Sequence, residues 1–366
     1  MPDSRLFQPL KVGNLTLSHR LAMCPLTRFR ASDDHVPLPS VREYYGQRAS
    51  VPGTLIISEG AFISPAHGGY ANVPGIYNED QIAAWRTVTD AVHAKGSYIF
   101  CQLWALGRTA DTSVAAHEGI TFVSSSNIPV DSERPAPVPL SKVQIRQSIQ
   151  DYANAAKNAI KAGFDGVELH GANGYLIDQF IQDTCNRRED EYGGSIENRS
   201  RFAVEVVKAV SDAIGGERTG VRFSPWSTYN GMRMDEPIPQ FADVIRRIKE
   251  LSPSIAYLHL VESRIAGNAD VEASDKLTFA YDIWDRPLLV AGGFTAESAQ
   301  RLVEEHPDKE IVVMFGRYFI STPDLPFRIK SGLALSPYDR DTFYTPMATK
   351  GYTDYPFSPQ FLETVE

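Results

Sequence analysis

Eight short apolar runs, rich in β-branched residues and separated by longer amphipathic stretches, constrain this chain more than any other feature. The runs are Arg20–Thr27, Gly53–Gly60, Ser97–Trp104, Asp165–Gly171, Gly220–Pro225, Ala256–Glu262, Pro287–Gly293 and Ile311–Arg317. Each is nearly continuous in apolar residues, as a strand buried on both faces must be. A strand followed by a helical stretch, repeated eight times, predicts an α/β fold of the (β/α)8 TIM-barrel type; an open doubly wound sheet is the competing arrangement. Helix starts are also legible: Asn78 with Gln81, and Ser141 with Gln144, each place a polar cap three residues before a glutamine. After Ser141, the residues Ile149, Tyr152, Ala156, Ala159 and Ile160 recur at helical spacing, and Gly163 closes the run.

Three segments exceed the minimal repeat. Leu10–Leu21 alternates around Gly13 and Asn14 like a small hairpin, and its place before the first strand suits a plug at the N-terminal end of the barrel. Arg108–Leu140 is rich in Pro and Ser and too long for an ordinary connection, so an extended loop after the third strand is expected over the C-terminal face. Beyond Ser336, the residues Tyr338, Phe343, Tyr344, Tyr352, Tyr355 and Phe357 make a tail too aromatic to stay in solvent. Residues 1–366 are read as one barrel domain, since such barrels run longer than an average domain.

Composition narrows the function classes. The net charge of −9 is spread without a basic block, which argues against a nucleic-acid footprint or an anionic membrane surface. No apolar run reaches membrane-spanning length, and the first residues MPDSRLFQPL lack a secretory pattern. Cys24, Cys101 and Cys185 are odd in number and lack metal-ligand spacing, so neither a metal site nor a disulfide framework is expected. A cytoplasmic protein acting on a small molecule, as a monomer or homodimer, fits these limits.

In such a barrel the C-terminal strand ends build the active site. Here they carry Pro25, Leu26 and Thr27, then Glu59 and Gly60, Gln102 and Trp104, His170 and Asn173, Arg222, Gly292 and Gly293, and Gly316 and Arg317. Folding alone favours Val, Ile and Leu there, whereas an amide, an imidazole, a hydroxyl and two guanidiniums call for a ligand or for mutual pairing. The last two strand ends are where these barrels bind phosphate: glycines admit close backbone approach, and Arg317 adds a permanent cation. No G-x-G-x-x-G follows a strand, which excludes a Rossmann-type nicotinamide domain. Flavin mononucleotide (FMN) would use the set sensibly, with Thr27 and Gln102 at the polar edge of its ring and Arg222 where reduction builds negative charge. His170 and Asn173 can aim donors at one oxygen that becomes negative during hydride addition. Tyr175 offers a phenol, with an ordinary pKa of about 10, as a proton source. Taken alone, His170 capping its strand and Tyr175 packing in a core would account for the same residues.

Together these residues resemble the Old Yellow Enzymes, FMN-dependent ene-reductases on a (β/α)8 barrel, over nearly the whole chain. The matching pieces are PLTRFRA from Pro25, SEGAFISP with GGY from Ser58, CQLWALGR from Cys101, GFDGVELHGANGYLIDQF from Gly163, NRREDEYGGSIENRSRF from Asn186, FGRYFISTPDLPFR from Phe315, and YDRDTFY with GYTDYPF near the end. The resemblance implies that Thr27, Gln102 and Arg222 contact the flavin ring and that Gly293, Gly316 and Arg317 hold its phosphate. It implies that His170 and Asn173 hold the substrate's activating group, that Tyr175 donates the proton, and that Trp104, Tyr229 and Tyr344 shape the pocket. Thr27 in place of cysteine is similar to the classical branch, and Gly293 stands where asparagine is common. The run VPLPSVREYYGQRASVPGT from Val36 is similar to fungal members acting on chanoclavine-I aldehyde. Some of those carry phenylalanine instead of the donor tyrosine and isomerise; Tyr175 aligns this chain with the reductases. The implied activity is transfer of hydride from NADPH, through the flavin, to an activated alkene. The alternatives are an isomerase, a flavin-binding protein without turnover, and a non-redox barrel enzyme of phosphorylated sugars.

Overall fold

The computed structural model describes residues 4–267, 269–272 and 274–365. Its centre is a closed barrel of eight parallel strands: β1 (Leu21–Met23), β2 (Leu55–Phe62), β3 (Tyr98–Trp104), β4 (Gly166–His170), β5 (Thr219–Phe223), β6 (Tyr257–Val261), β7 (Leu288–Ala291) and β8 (Ile311–Phe315). Each strand pairs with the next in sequence, and β8 returns to β1 through the partners Met314 and Ala22, which rules out the open sheet. The surrounding helices are α1 (Pro39–Arg48), α2 (Glu79–His93), α3 (Lys142–Lys161), α4 (Ile196–Ile214), α5 (Pro237–Leu251), α6 (Thr278–Ile283), α7 (Ala296–Glu305) and α8 (Leu325–Ser331). Asn78 and Ser141 cap α2 and α3 in full capping boxes with Gln81 and Gln144.

Strand alternation divides the core. Outward residues such as Ile56, Ile99, Val167, Val221 and Leu258 meet helix residues such as Trp85, Val206 and Ile245. Inward residues such as Leu55, Ile57, Phe100, Tyr257 and Leu289 fill the barrel lumen. The N-terminal hairpin, Leu10–Val12 against Leu15–Leu17, adds Leu10, Val12 and Leu17 to that inner cluster and so closes the barrel floor. Each such buried side chain stabilises the plug by about 1.5–3 kcal/mol. Its turn needs Gly13, whose φ is +55° and where a Cβ would lie 2.0 Å from the Glu217 carbonyl oxygen.

Several boundaries differ from expectation, and the differences shape the site. Strand β1 stops at Met23; Cys24 N–H still donates to the Phe315 carbonyl at 2.9 Å, and Pro25–Thr27 then leave the ladder and become a wall at the open end. Strand β2 runs on to Phe62 after a register slip between Ile57 and Gly60. Strand β8 stops at Phe315, and Arg317 opens a short helix, Arg317–Ser321. The extended loop after β3 carries structure of its own: a helix, Thr112–Glu118, capped by Asp111, and a parallel pair, Val123–Ser124 with Val138–Pro139. Buried Arg108 ties it down by donating to the carbonyls of Ile128, Pro129 and Asn230, the last on the connection after β5. In the tail, Tyr352 stacks on Tyr44 at 4.0 Å between ring centroids. The buried guanidiniums of Arg28, Arg30 and Arg48 donate to the carbonyls of Phe343, Gly351, Ala348 and Tyr352, which brings Phe343 and Tyr344 to the open end of the barrel. No helix among the described residues is long and apolar enough to cross a membrane.

Candidate active site

A cavity of about 400 Å³ opens at the C-terminal end of the strands, within the usual range for small-molecule sites. Pro25, Leu26, Thr27, Gln102, Trp104, His170, Asn173, Tyr175, Arg222, Tyr229, Gly292, Gly293, Gly316, Arg317 and Tyr344 all line it. Gly60 is not among its walls: the Trp104 ring covers it, lying 2.6 Å from where a Cβ at Gly60 would stand. Among the described residues no cluster of side chains is suited to hold a metal ion.

One side of the cavity rests on a buried polar network. Gln102 Nε2 donates to Glu168 Oε1 at 2.9 Å, and His259 Nδ1 donates to Glu168 Oε2 at 2.8 Å. Burial alone would raise the Glu168 pKa, but His259, Arg222 and Gln102 overcome it and hold the carboxyl below the ordinary range. Burial lowers the His259 pKa, with Glu168 opposing, so the imidazole is neutral at pH 7 and donates through Nδ1–H. Arg222 is buried, and its Nε has no partner among the described residues. Burial raises the Cys24 thiol to about 12, which leaves it a packed thiol rather than a nucleophile.

An adjoining group of side chains is built by the turn after β4, where His170 is the register partner of Arg222 on β5. The backbone N–H of Ala172 donates to His170 Nδ1 at 3.4 Å, which selects the tautomer with its proton on Nε2. Burial first, then Arg222 and His259, pushes the His170 pKa well below 6.5, so at neutral pH this ring is an uncharged donor. Asn173 follows in the left-handed region at φ +57°, where asparagine is well tolerated. Its N–H reaches Ser224 Oγ at 2.8 Å, and its carbonyl accepts from Asn230 Nδ2 at 2.9 Å. Gly174 N–H is held at 2.9 Å by Asp178, whose carboxyl burial raises to about 7. Tyr175 packs edge-on against both Trp104 and His170, each at 4.8 Å. Burial, with Tyr70, Tyr229 and Tyr344 adding to it, raises its pKa well above 10 and keeps the phenol protonated.

The mouth is aromatic. Tyr229 and Tyr344 are 41% and 45% exposed there, and Phe29 and Tyr70 complete the rim, with Phe29 5.9 Å from Tyr344 and Tyr70 5.8 Å from Trp104. At the far end, Gly293 adopts φ +62°, and a Cβ there would come within 3.3 Å of both Asp270 and Arg317. Arg317 itself is engaged: its two terminal nitrogens donate to the two carboxylate oxygens of Asp270 at 2.5 and 2.6 Å. The guanidinium expected to meet a phosphate therefore already grips an anion of similar shape.

Sequence reading missed Phe29, Tyr70, Glu168, His259 and Asp270. For the first three a signal existed, since Phe29 and Tyr70 lie in the strand-end motifs and Glu168 is a lone charge inside an apolar run. For His259 the run AYLHLVE carried a similar hint. Asp270 had none, because it comes from a polar loop remote in sequence.

The chain matches the model of the NADH:flavin oxidoreductase / NADH oxidase family over residues 5–336. It is 56% identical to chanoclavine-I aldehyde reductase fgaOx3 of Penicillium roqueforti, across 99% of each chain. With the NADP-dependent oxidoreductase lnbE of Aspergillus flavus it shares 52% identity over 99% of this chain and 98% of that one. The crystal structure of Old Yellow Enzyme from a Pichia species superposes with a TM-score of 0.91 at 39% identity, covering 98% of this chain and 95% of the other. A closed parallel barrel, a cavity at its C-terminal end and these matches along the full chain agree, and the protein belongs to the NADH:flavin oxidoreductase / NADH oxidase family as an oxidoreductase of Old Yellow Enzyme type.

Proposed function

We propose that the protein is an FMN-dependent ene-reductase that takes reducing equivalents from NADPH and reduces an alkene activated by a carbonyl or nitro group. The observation that carries this reading is one cavity with two chemically different walls. The residues of the first wall fit the flavin: Arg222 Nε lacks a partner among the described residues, the Gln102 amide is already oriented, and glycine at 293 leaves the space that a Cβ would fill. When bound, the flavin supplies hydride transfer, which no side chain can perform. Arg222 would hold a fixed positive charge against the ring edge, Thr27 and Gln102 would offer it polar partners, and Arg317 with the backbone of Gly293 and Gly316 would hold the phosphate.

The second wall acts on the substrate. His170, with its proton on Nε2, and Asn173 hold the activating oxygen and stabilise the charge that gathers on it, as donors already in place before the reaction. Tyr175 keeps its proton until the neighbouring carbon becomes enolate-like, then gives it up. The Trp104, Tyr229 and Tyr344 rings make flat walls suited to a planar conjugated substrate. The relatives' descriptions, an aldehyde reductase in one case and an NADP-dependent oxidoreductase in the other, support an aldehyde as the activating group and NADPH as donor.

The test is anaerobic. Protein reduced by NADPH is mixed with enals, enones, maleimides and nitroalkenes, and the products are identified. The yellow colour is expected to return with formation of saturated product. A colourless protein that takes up no FMN overturns the reading, and reoxidation without any saturated product reduces it to flavin binding.

A further inference from the structure

We infer that Glu168, backed by His259, is a positioning residue that acts on the bound ring through Gln102 and against Arg222, and so sets how tightly reduced flavin is held relative to oxidised flavin. The inference rests on the flavin reading proposed above. Glu168 lies in the middle of β4 with none of its side chain exposed, and His259 on β6 is equally buried. A buried ion or polar pair of this kind is often no more stabilising than apolar residues of the same volume, so stability alone does not account for it.

Register explains what it touches. Gln102 and Glu168 are paired positions across β3 and β4, while Arg222 is paired with His170 on one side and with His259 on the other. Two levels of the barrel lumen thus interlock: the Gln102–Glu168 level lies below, and the His170–Arg222–His259 level lies toward the open end. His259 reaches from the upper level to Glu168. A carboxylate only accepts hydrogen bonds, so Gln102 must turn its Nε2 toward Glu168, which leaves Oε1 as the acceptor for a ring N–H in the cavity. The same negative charge opposes Arg222, the cation against the ring. A neutral amide at 168 would let the Gln102 amide turn over and would remove a charge that repels the reduced, anionic ring. Both changes favour reduced over oxidised flavin.

The experiment is a spectroelectrochemical titration of wild-type protein and Glu168→Gln, each loaded with FMN, with dissociation constants measured for oxidised FMN. The ratio of reduced to oxidised affinity is expected to rise about tenfold, a positive shift of about 30 mV for a two-electron couple. In a Gln102→Leu background the effect of Glu168→Gln on oxidised-FMN affinity should shrink, because the contact it acts through is gone. A ratio and affinity within twofold of wild type overturn the inference while leaving the flavin reading intact. If Glu168→Gln does not fold, Glu168→Asp keeps the charge but loses the reach to Gln102: weaker binding of oxidised FMN with an altered flavin spectrum is expected, and binding and spectrum identical to wild type overturn the inference. A wild-type protein that takes up no FMN brings down the flavin reading and this inference with it.

Discussion

Asp270 closes a two-pronged ion pair on Arg317, with Oδ2 2.5 Å from Nη1 and Oδ1 2.6 Å from Nη2. The carboxylate belongs to a short hairpin, Ile265–Ala266 with Ala269–Asp270, and its side chain is 60% exposed. Exposed pairs of this kind contribute about 0.2–1 kcal/mol. Asp270→Asn should therefore tighten FMN binding by up to about fivefold at low salt, by removing the internal competitor for Arg317. Arg317→Ala should weaken it by about 1.5–3 kcal/mol, the range for a charge-assisted contact. Fluorescence titration of the apoprotein with FMN reads both; equal affinity in all three proteins would take Arg317 out of the phosphate site.

His170→Ala and Asn173→Ala should each slow reoxidation of the reduced flavin by enones by a factor on the order of 10² to 10³, as expected for loss of an oxyanion donor. NADPH-independent reduction with dithionite isolates this half of the reaction in a stopped-flow experiment. A double variant retaining the wild-type rate is the result that excludes the donor pair.

Tyr175→Phe separates the two halves of the cycle. Flavin reduction by NADPH requires no acid and should stay near the wild-type rate, whereas alkene reduction should fall by a factor of about 10² to 10⁴. Nitroalkenes should still reoxidise the variant, since their adduct is a stabilised nitronate that can leave before protonation. Ordinary enones reduced at the wild-type rate would show that the proton comes from elsewhere and would reopen the isomerase alternative.

Glu59, buried beside the backbone of Arg28 and the Tyr45 hydroxyl, has its carboxyl raised to about 7, chiefly by burial. Because its folded pKa lies above the unfolded one, the stability it contributes is full below about pH 4.5 and is lost as pH rises through about 7. Relative to the isosteric Glu59→Gln, the wild-type protein should lose on the order of 3 kcal/mol across that window. Urea midpoints of both proteins at pH 5 and pH 8 check this; a difference that does not change with pH would mean Glu59 stays ionised throughout.

Much of this protein was legible in one dimension. Apolar runs such as GVELH and YLHLV can be buried on both faces only in a covered parallel sheet, and the capping boxes at Asn78 and Ser141 are local hydrogen bonds that need no distant partner. His170, Asn173, Tyr175, Gln102 and Arg222 stood out as a set because so many polar groups at and just beyond strand ends call for a ligand or for mutual pairing. What tertiary structure decided is pairing across the barrel. That Glu168 faces Gln102 and His259, that Trp104 rather than a ligand covers Gly60, and that Asp270 reaches Arg317 depend on strand register and loop path. Those are set by closure of the whole barrel, and contacts between residues tens of positions apart leave no periodicity in the sequence that joins them.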